Sequence, residues 1–204
     1  MKKINILILG NPISASTTDH PTQGINNTLT STSNSYWSSI GSPDPHSSEY
    51  LIYHLSSPVC LVRAVCLRVF QAYWQYGEPI YSPRKLIVEF SLGDKEKTVM
   101  DLGQVQKNTT EQTFNLPYPV FANQIKFILE GRTQRQPGDN LWYTVLQFVN
   151  VYGFSFPFKD ENVSNLILKL YAPYLKDLLD HLNIRNLQDP KDFENLKNYI
   201  INES

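Results

Sequence analysis

The sequence predicts a two-layered antiparallel β-sandwich followed by a short helical tail, and three features carry that expectation. Short apolar runs recur at regular intervals between residues 49 and 152, separated by Gly, Pro, Asn and Ser. No helical pattern separates those runs, so parallel crossovers lack the chain they need and antiparallel pairing follows. Past Gly153 the apolar spacing changes from alternation to the helical i, i+3, i+4, i+7 pattern.

Met1-Lys2-Lys3 precedes a short apolar run, Ile4 to Leu9. The run is too short for a secretory leader and lacks a small-residue cleavage site, so residues 1–13 read as a first strand or as the remnant of a longer parent. Residues 11–48 are dominated by Ser, Thr, Asn, Pro and Gly and read as an ordered loop lying over the core, pinned by Trp37. Strands are expected at 49–55, 60–70, 85–92, 111–116, 124–130 and 141–152. Leu86, Val88, Phe90 and Leu92 share one face of their strand, as do Ile125, Phe127 and Leu129, so both strands are half-buried. Segments 60–70 and 141–152 are apolar on both parities, interrupted chiefly by Arg63, Arg68 and Gln147, which marks central strands covered on both sides. The sandwich is assigned to 14–158. In the tail, 159–204, two amphipathic stripes run from Val163 to Leu170 and from Leu175 to Leu182, and Asp189-Pro190 opens a third.

With 18 basic and 19 acidic side chains the formal charge is -1, which supplies no global field for nucleic acid or an anionic membrane; neither partner is expected. No stretch reaches the roughly 20 apolar residues of a membrane span. Cys60 and Cys66 fall in one extended run, too far apart for a disulfide, and read as buried thiols on one face of a strand. That suits a reducing compartment, hence an intracellular, cytoplasmic or nuclear location. Sequons begin at Asn26, Asn108, Asn162 and Asn202 in a chain rich enough in Asn, Ser and Thr to produce them by chance.

The sequence lacks a glycine-rich phosphate cradle, a metal-ligand spacing and a nucleophile elbow, and its four histidines are scattered. No enzyme, cofactor or metal site is therefore expected. The block Phe70 to Pro83 instead packs Tyr73, Trp74, Tyr76 and Tyr81 among Gln71, Gln75 and Glu78, a composition that gives large contact area and directional hydrogen bonds. Trp37 reads first as a plug for one end of the core and second as a ring offered to a ligand. Gly131 to Gln136 puts Arg132, Gln134 and Arg135 in a short loop, suited to a carboxylate, phosphate or ring partner, or else to a solvated hairpin tip or an ion pair with Glu78 or Glu130. If these loops converge, the ligand site comprises Trp37, Gln71, Tyr73, Trp74, Tyr76, Tyr81, Arg132, Gln134 and Arg135, with Arg and Gln at its base.

Ala15-Ser16-Thr17-Thr18-Asp19, Asn27-Thr28-Leu29, Tyr36-Trp37-Ser38-Ser39, the Phe70 block and Gly131 to Gln136 with Trp142-Tyr143 together resemble the C-terminal region of plant F-box proteins. That region is similar to a galactose-binding, discoidin-type jelly roll. The resemblance spans about 14–153 and implies the target-choosing part of a ubiquitin ligase receptor. Only about a dozen residues precede it, whereas an F-box takes roughly 40–50 residues of helix. The chain is accordingly expected to be the sandwich without the F-box. A protein or peptide ligand is the leading expectation, and a carbohydrate ligand of the same fold is the alternative.

Overall fold

Alternation of apolar and polar residues drives the two layers, because each strand must put one face against the other sheet. The computed structural model describes residues 6–32, 34–93 and 97–156. Twelve strands follow in order: β1 Ile6–Leu7, β2 Leu9–Ala15, β3 Trp37–Ser38, β4 Glu49–Leu55, β5 Val59–Val69, β6 Pro83–Ser91, β7 Thr98–Gln104, β8 Gln112–Ala122, β9 Gln124–Arg132, β10 Gln134–Arg135, β11 Trp142–Tyr143 and β12 Val145–Phe156. One sheet runs β1-β12-β5-β8, with β3 also on β12. The other runs β2-β4-β9-β6-β7, and β10 and β11 form a small hairpin. Every pairing is antiparallel. The antiparallel sandwich expected from the sequence is the observed fold. The helical tail lies outside the described residues.

The expected half-buried faces are in place. Leu86, Val88 and Phe90 of β6 and Ile125, Phe127 and Leu129 of β9 meet Val65, Leu67, Val149 and Val151 across the core. Tyr53 and Phe127 pack edge to face at 5.7 Å, and the Tyr53 hydroxyl meets Thr28 at 2.7 Å, so the short 3-10 turn Ile25–Leu29 seals that side without an unpaired phenol.

Four details differ from the sequence reading. The long polar loop begins later than expected, because β2 carries the chain through residue 15 as a partner of β4. β7 was not anticipated, since an edge strand with one buried side chain, Met100, has too little apolar alternation to stand out. β8 continues past Leu116, because Pro117 and Pro119 occupy a stretch that leaves the ladder between Asn115 and Val120 and need donate nothing to it. Cys60 and Cys66, expected on one face, lie on opposite faces. Ala64 pairs with Tyr152 and Val62 with Gly153, so Arg63 is an extra residue that reverses the alternation. Cys60 thus joins the inter-sheet core, while the Cys66 thiol donates to the Tyr152 hydroxyl. Both cysteines are free and buried, and burial raises both thiols, Cys66 to about 12.

Candidate functional site

At one end of the sandwich the end of β5, the start of β6, the β10–β11 hairpin, the start of β12 and the chain before β3 come together. Antiparallel pairing brings them there: β5 leaves the sheet where β12 enters it, and β6 begins where β9 ends. Phe70, Ala72, Tyr81, Tyr143 and Val145 form a satellite apolar cluster, with Tyr36 and Leu141 packed on it. Above this cluster opens a cavity of about 190 Å³.

Its aromatic wall is a set of three rings. Tyr36 stacks on Phe70 at 4.2 Å, and Trp74 leans over both at 5.9 and 5.5 Å. Asn27 fixes Tyr36 by donating from Nδ2 to its carbonyl, and Gln23 Nε2 donates to its hydroxyl at 3.1 Å. Trp74 stays 62% exposed because its loop turns outward. In that loop Gln71 pairs with Ile80, Gln71 Nε2 donates to the Glu78 carbonyl, and the turn passes through Gly77 and Glu78, both at positive φ. Glycine takes that conformation freely and Glu78 takes it at some cost.

The opposite wall is Tyr81 and Tyr143, edge to face at 6.2 Å. Tyr81 donates to Gln75 Oε1, and Tyr143 donates to Asp139 Oδ2, whose other oxygen accepts from the Leu141 amide. Burial pushes the Asp139 carboxyl up, but hydrogen bonds from the Tyr143 hydroxyl, the Leu141 amide and its own amide outweigh it and hold the group below its ordinary range. Burial, then the Asp139 hydrogen bond and the charges of Asp139 and Asp19, raise the Tyr143 hydroxyl far above the ordinary tyrosine range. Gly41 backs Tyr143 so closely that a Cβ there would lie 2.6 Å from the ring. The polar lining is Asp19, whose amide donates to the Ser38 carbonyl, together with Ser38, Gln23, Gln75 and Gln136.

Of the residues singled out in the sequence, Trp74 and Tyr81 line this cavity, Tyr81 as a nearly buried wall. Tyr73 and Tyr76 are exposed beside it and do not line it. Gln71 braces the loop. Gln134 accepts from Lys107 and donates to the Arg135 carbonyl, while Arg135 donates to Asn140; neither lines the cavity. Two assignments are corrected. Trp37 is wholly buried in the core, its indole donating to the Thr17 carbonyl at 3.0 Å, so it is the plug and not a ligand contact. Arg132 is 2% exposed and ion-paired with Glu49, not with Glu78 or Glu130. It also donates to Ser39 Oγ and to the Ile40 and Trp142 carbonyls. Gly131, at φ 65 inside β9, breaks the strand's alternation and turns Arg132 inward. Burial lowers the Arg132 guanidinium and the neighbouring Glu49 carboxylate partly offsets this.

Asp19, Gln23, Gln136 and Tyr143 were not foreseen as site residues. Tyr143 carried a usable signal, a large ring at a strand end beside a turn. Asp19 and Gln23 reach the cavity only through the path of the polar loop. Among the described residues no group of His, Cys, Asp and Glu could hold a metal ion, and no helix is long and apolar enough to cross a membrane.

No known protein-family profile matches the chain. An F-box protein of Arabidopsis thaliana is 31% identical over 195 aligned residues, which take in 77% of this chain and 51% of that one; the chain thus spans about half the length of this curated relative. Among solved structures, the family 32 carbohydrate-binding module of Streptococcus pneumoniae EndoD superposes with a TM-score of 0.55 at 16% identity, covering 74% of this chain and 99% of that one. The family 32 module of Clostridium perfringens NanJ, in complex with galactose, gives 0.52 at 14% identity over 68% of this chain and 90% of that one. A protein fragment of Bacteroides thetaiotaomicron gives 0.57 at 11% identity over 72% of this chain and 90% of that one. At these identities the likeness is one of fold.

Proposed function

We propose that this chain is a noncatalytic recognition module that captures a protein or peptide in the cavity beneath Trp74. The observation that carries this reading is the cavity's make-up: three packed rings face two tyrosines, amides and one carboxylate are set among them, and Trp74 is left open to solvent. Rings give area at low entropic cost and amides fix direction, which is how recognition surfaces are built. The Tyr143 hydroxyl is held on Asp139, a carboxylate kept below its ordinary range, and the rings and amides around it favour binding over chemistry. The F-box relative supports a further role, the choice of targets for ubiquitination; an intracellular location belongs to the same proposal.

A second reading, a carbohydrate ligand, has its own support in the structural neighbours described as carbohydrate-binding modules and in rings on which a sugar face can stack. Peptide and glycan arrays probed side by side separate the two. The first reading expects peptide capture that Trp74→Ala abolishes while stability changes by no more than about 1 kcal/mol, as for a largely exposed ring. Glycan hits without peptide hits would overturn it in favour of the second.

A further inference from the structure

We infer that the cavity takes a cationic group, the side chain of a lysine or arginine in a captured peptide. This rests on the peptide reading above and specifies what that peptide presents.

The charged lining of the cavity is acidic. Asp19 is the one charged residue in the lining, and its carboxylate makes no ion pair among the described residues. Asp139 adds a second negative charge directly behind the Tyr143 hydroxyl. Of the cations nearby, Arg132 is buried against Glu49, while Arg135 keeps its charge but lies outside the lining, turned to the Asn140 carbonyl. Tyr36, Phe70, Trp74, Tyr81 and Tyr143 line the space, and a ring that turns its face to a cation attracts it. Burial is the main reason the Tyr143 hydroxyl is raised, and the charges of Asp139 and Asp19 add to it.

Size narrows the choice. A cavity of about 190 Å³ falls below the roughly 300–1,000 Å³ of drug-sized ligand pockets, so it admits one side chain and not a length of backbone. Residues flanking the inserted side chain would then cross Tyr73 and Tyr76, which stand 58% and 102% exposed next to the opening. A neutral ligand would use the rings but leave the Asp19 carboxylate facing only water. A basic side chain engages both.

The test presents the full chain with randomised nine-residue peptides whose central position is fixed as Lys, Arg, acetyl-lysine or Gln, and measures affinity by fluorescence anisotropy. Lys- and Arg-centred peptides are expected to bind about tenfold more tightly than the two neutral sets, a cation-over-ring and carboxylate preference of ordinary size. Asp19→Asn should cut that preference to about threefold with the melting temperature unchanged, because the lost carboxylate is an exposed one. Peptides captured in a Trp74-dependent manner with no preference for charge would overturn the cation while leaving peptide recognition standing. Capture of no peptide, with galactose or N-acetylglucosamine oligosaccharides binding instead, would overturn both.

Discussion

Replacing Arg132 by Met tests whether this residue supports the fold or the ligand. The guanidinium is 2% exposed and its side chain and that of Glu49 are almost fully enclosed. Arg132→Met keeps most of the stem's packing and removes the charge. The Ile40 carbonyl also loses its donor, but Ile40 is 50% exposed and water can replace it, so the loss is concentrated on one atom. Ser39 Oγ keeps the Thr144 amide as a donor and the Trp142 carbonyl keeps the Ser42 amide, and Glu49 Oε2 keeps Thr17 and Ser16. Glu49 Oε1 alone is left as a buried, uncompensated anion. Removing one partner of a buried pair costs about 3–5 kcal/mol. That is a large share of the roughly 5–15 kcal/mol that holds a domain together. In urea the unfolding midpoint should fall by about 2 M for a slope of roughly 2 kcal/mol/M. Adding Glu49→Gln should restore about half of the loss, since the stranded charge is then gone. A single-variant loss below about 1 kcal/mol, or a double variant no better than the single, would refute the reasoning. Loss of ligand capture at unchanged stability would return Arg132 to the binding surface.

Other consequences follow from the same contacts. A Cβ at Gly153 would sit 2.1 Å from the Leu61 carbonyl oxygen, so Gly153→Ala must push β12 off β5; a loss of about 3 kcal/mol is expected in chemical denaturation. Cys60 and Cys66 should not react with a disulfide reagent at pH 8 until the protein unfolds, whereupon both should. The Cys66 thiol, raised from 9.0 to about 12, contributes stability that is present below pH 9 and lost as pH climbs toward 12, which an alkaline denaturation series will register. Asp139 has the opposite sign. Its folded value lies below the ordinary 3.8, so its contribution is present above that pH and lost as pH falls through the folded value. Emission from Trp142, the neighbour of Tyr143, should therefore shift in acid below about pH 4, and Asp139→Asn should remove that shift.

The layers of this fold were legible because alternation and its absence are local signals. Leu86, Val88 and Phe90 declare one face, and the doubly apolar runs of β5 and β12 declare central strands. What escaped were places where one residue changes parity or contributes no side-chain signal. Arg63 adds a residue to β5 and sends the two cysteines to opposite faces, although the spacing between them is even. β7 lies at an edge and buries only Met100.

Arg132 is the instructive case for the site. Its composition, a guanidinium among amides after a strand, is that of a binding loop, and by spacing alone it should face outward. A single left-handed glycine before it reverses the direction. The inward guanidinium then holds the carbonyl of Trp142, the residue before Tyr143, while β9 continues through Thr133 to the hairpin that places Gln136. The same motif thus builds one wall of the cavity from behind. Loosening Arg132 should disturb the Tyr143 wall before it touches the Trp74 wall, whose rings hang on the β5 exit and on Asn27. An Arg132→Lys variant keeps the charge but cannot reproduce the four-way fork to Ser39, Ile40, Trp142 and Glu49. It should remain folded, lose affinity through the Tyr143 side, and restore the acid sensitivity of the cavity to a higher pH as the Asp139 hydrogen bond weakens.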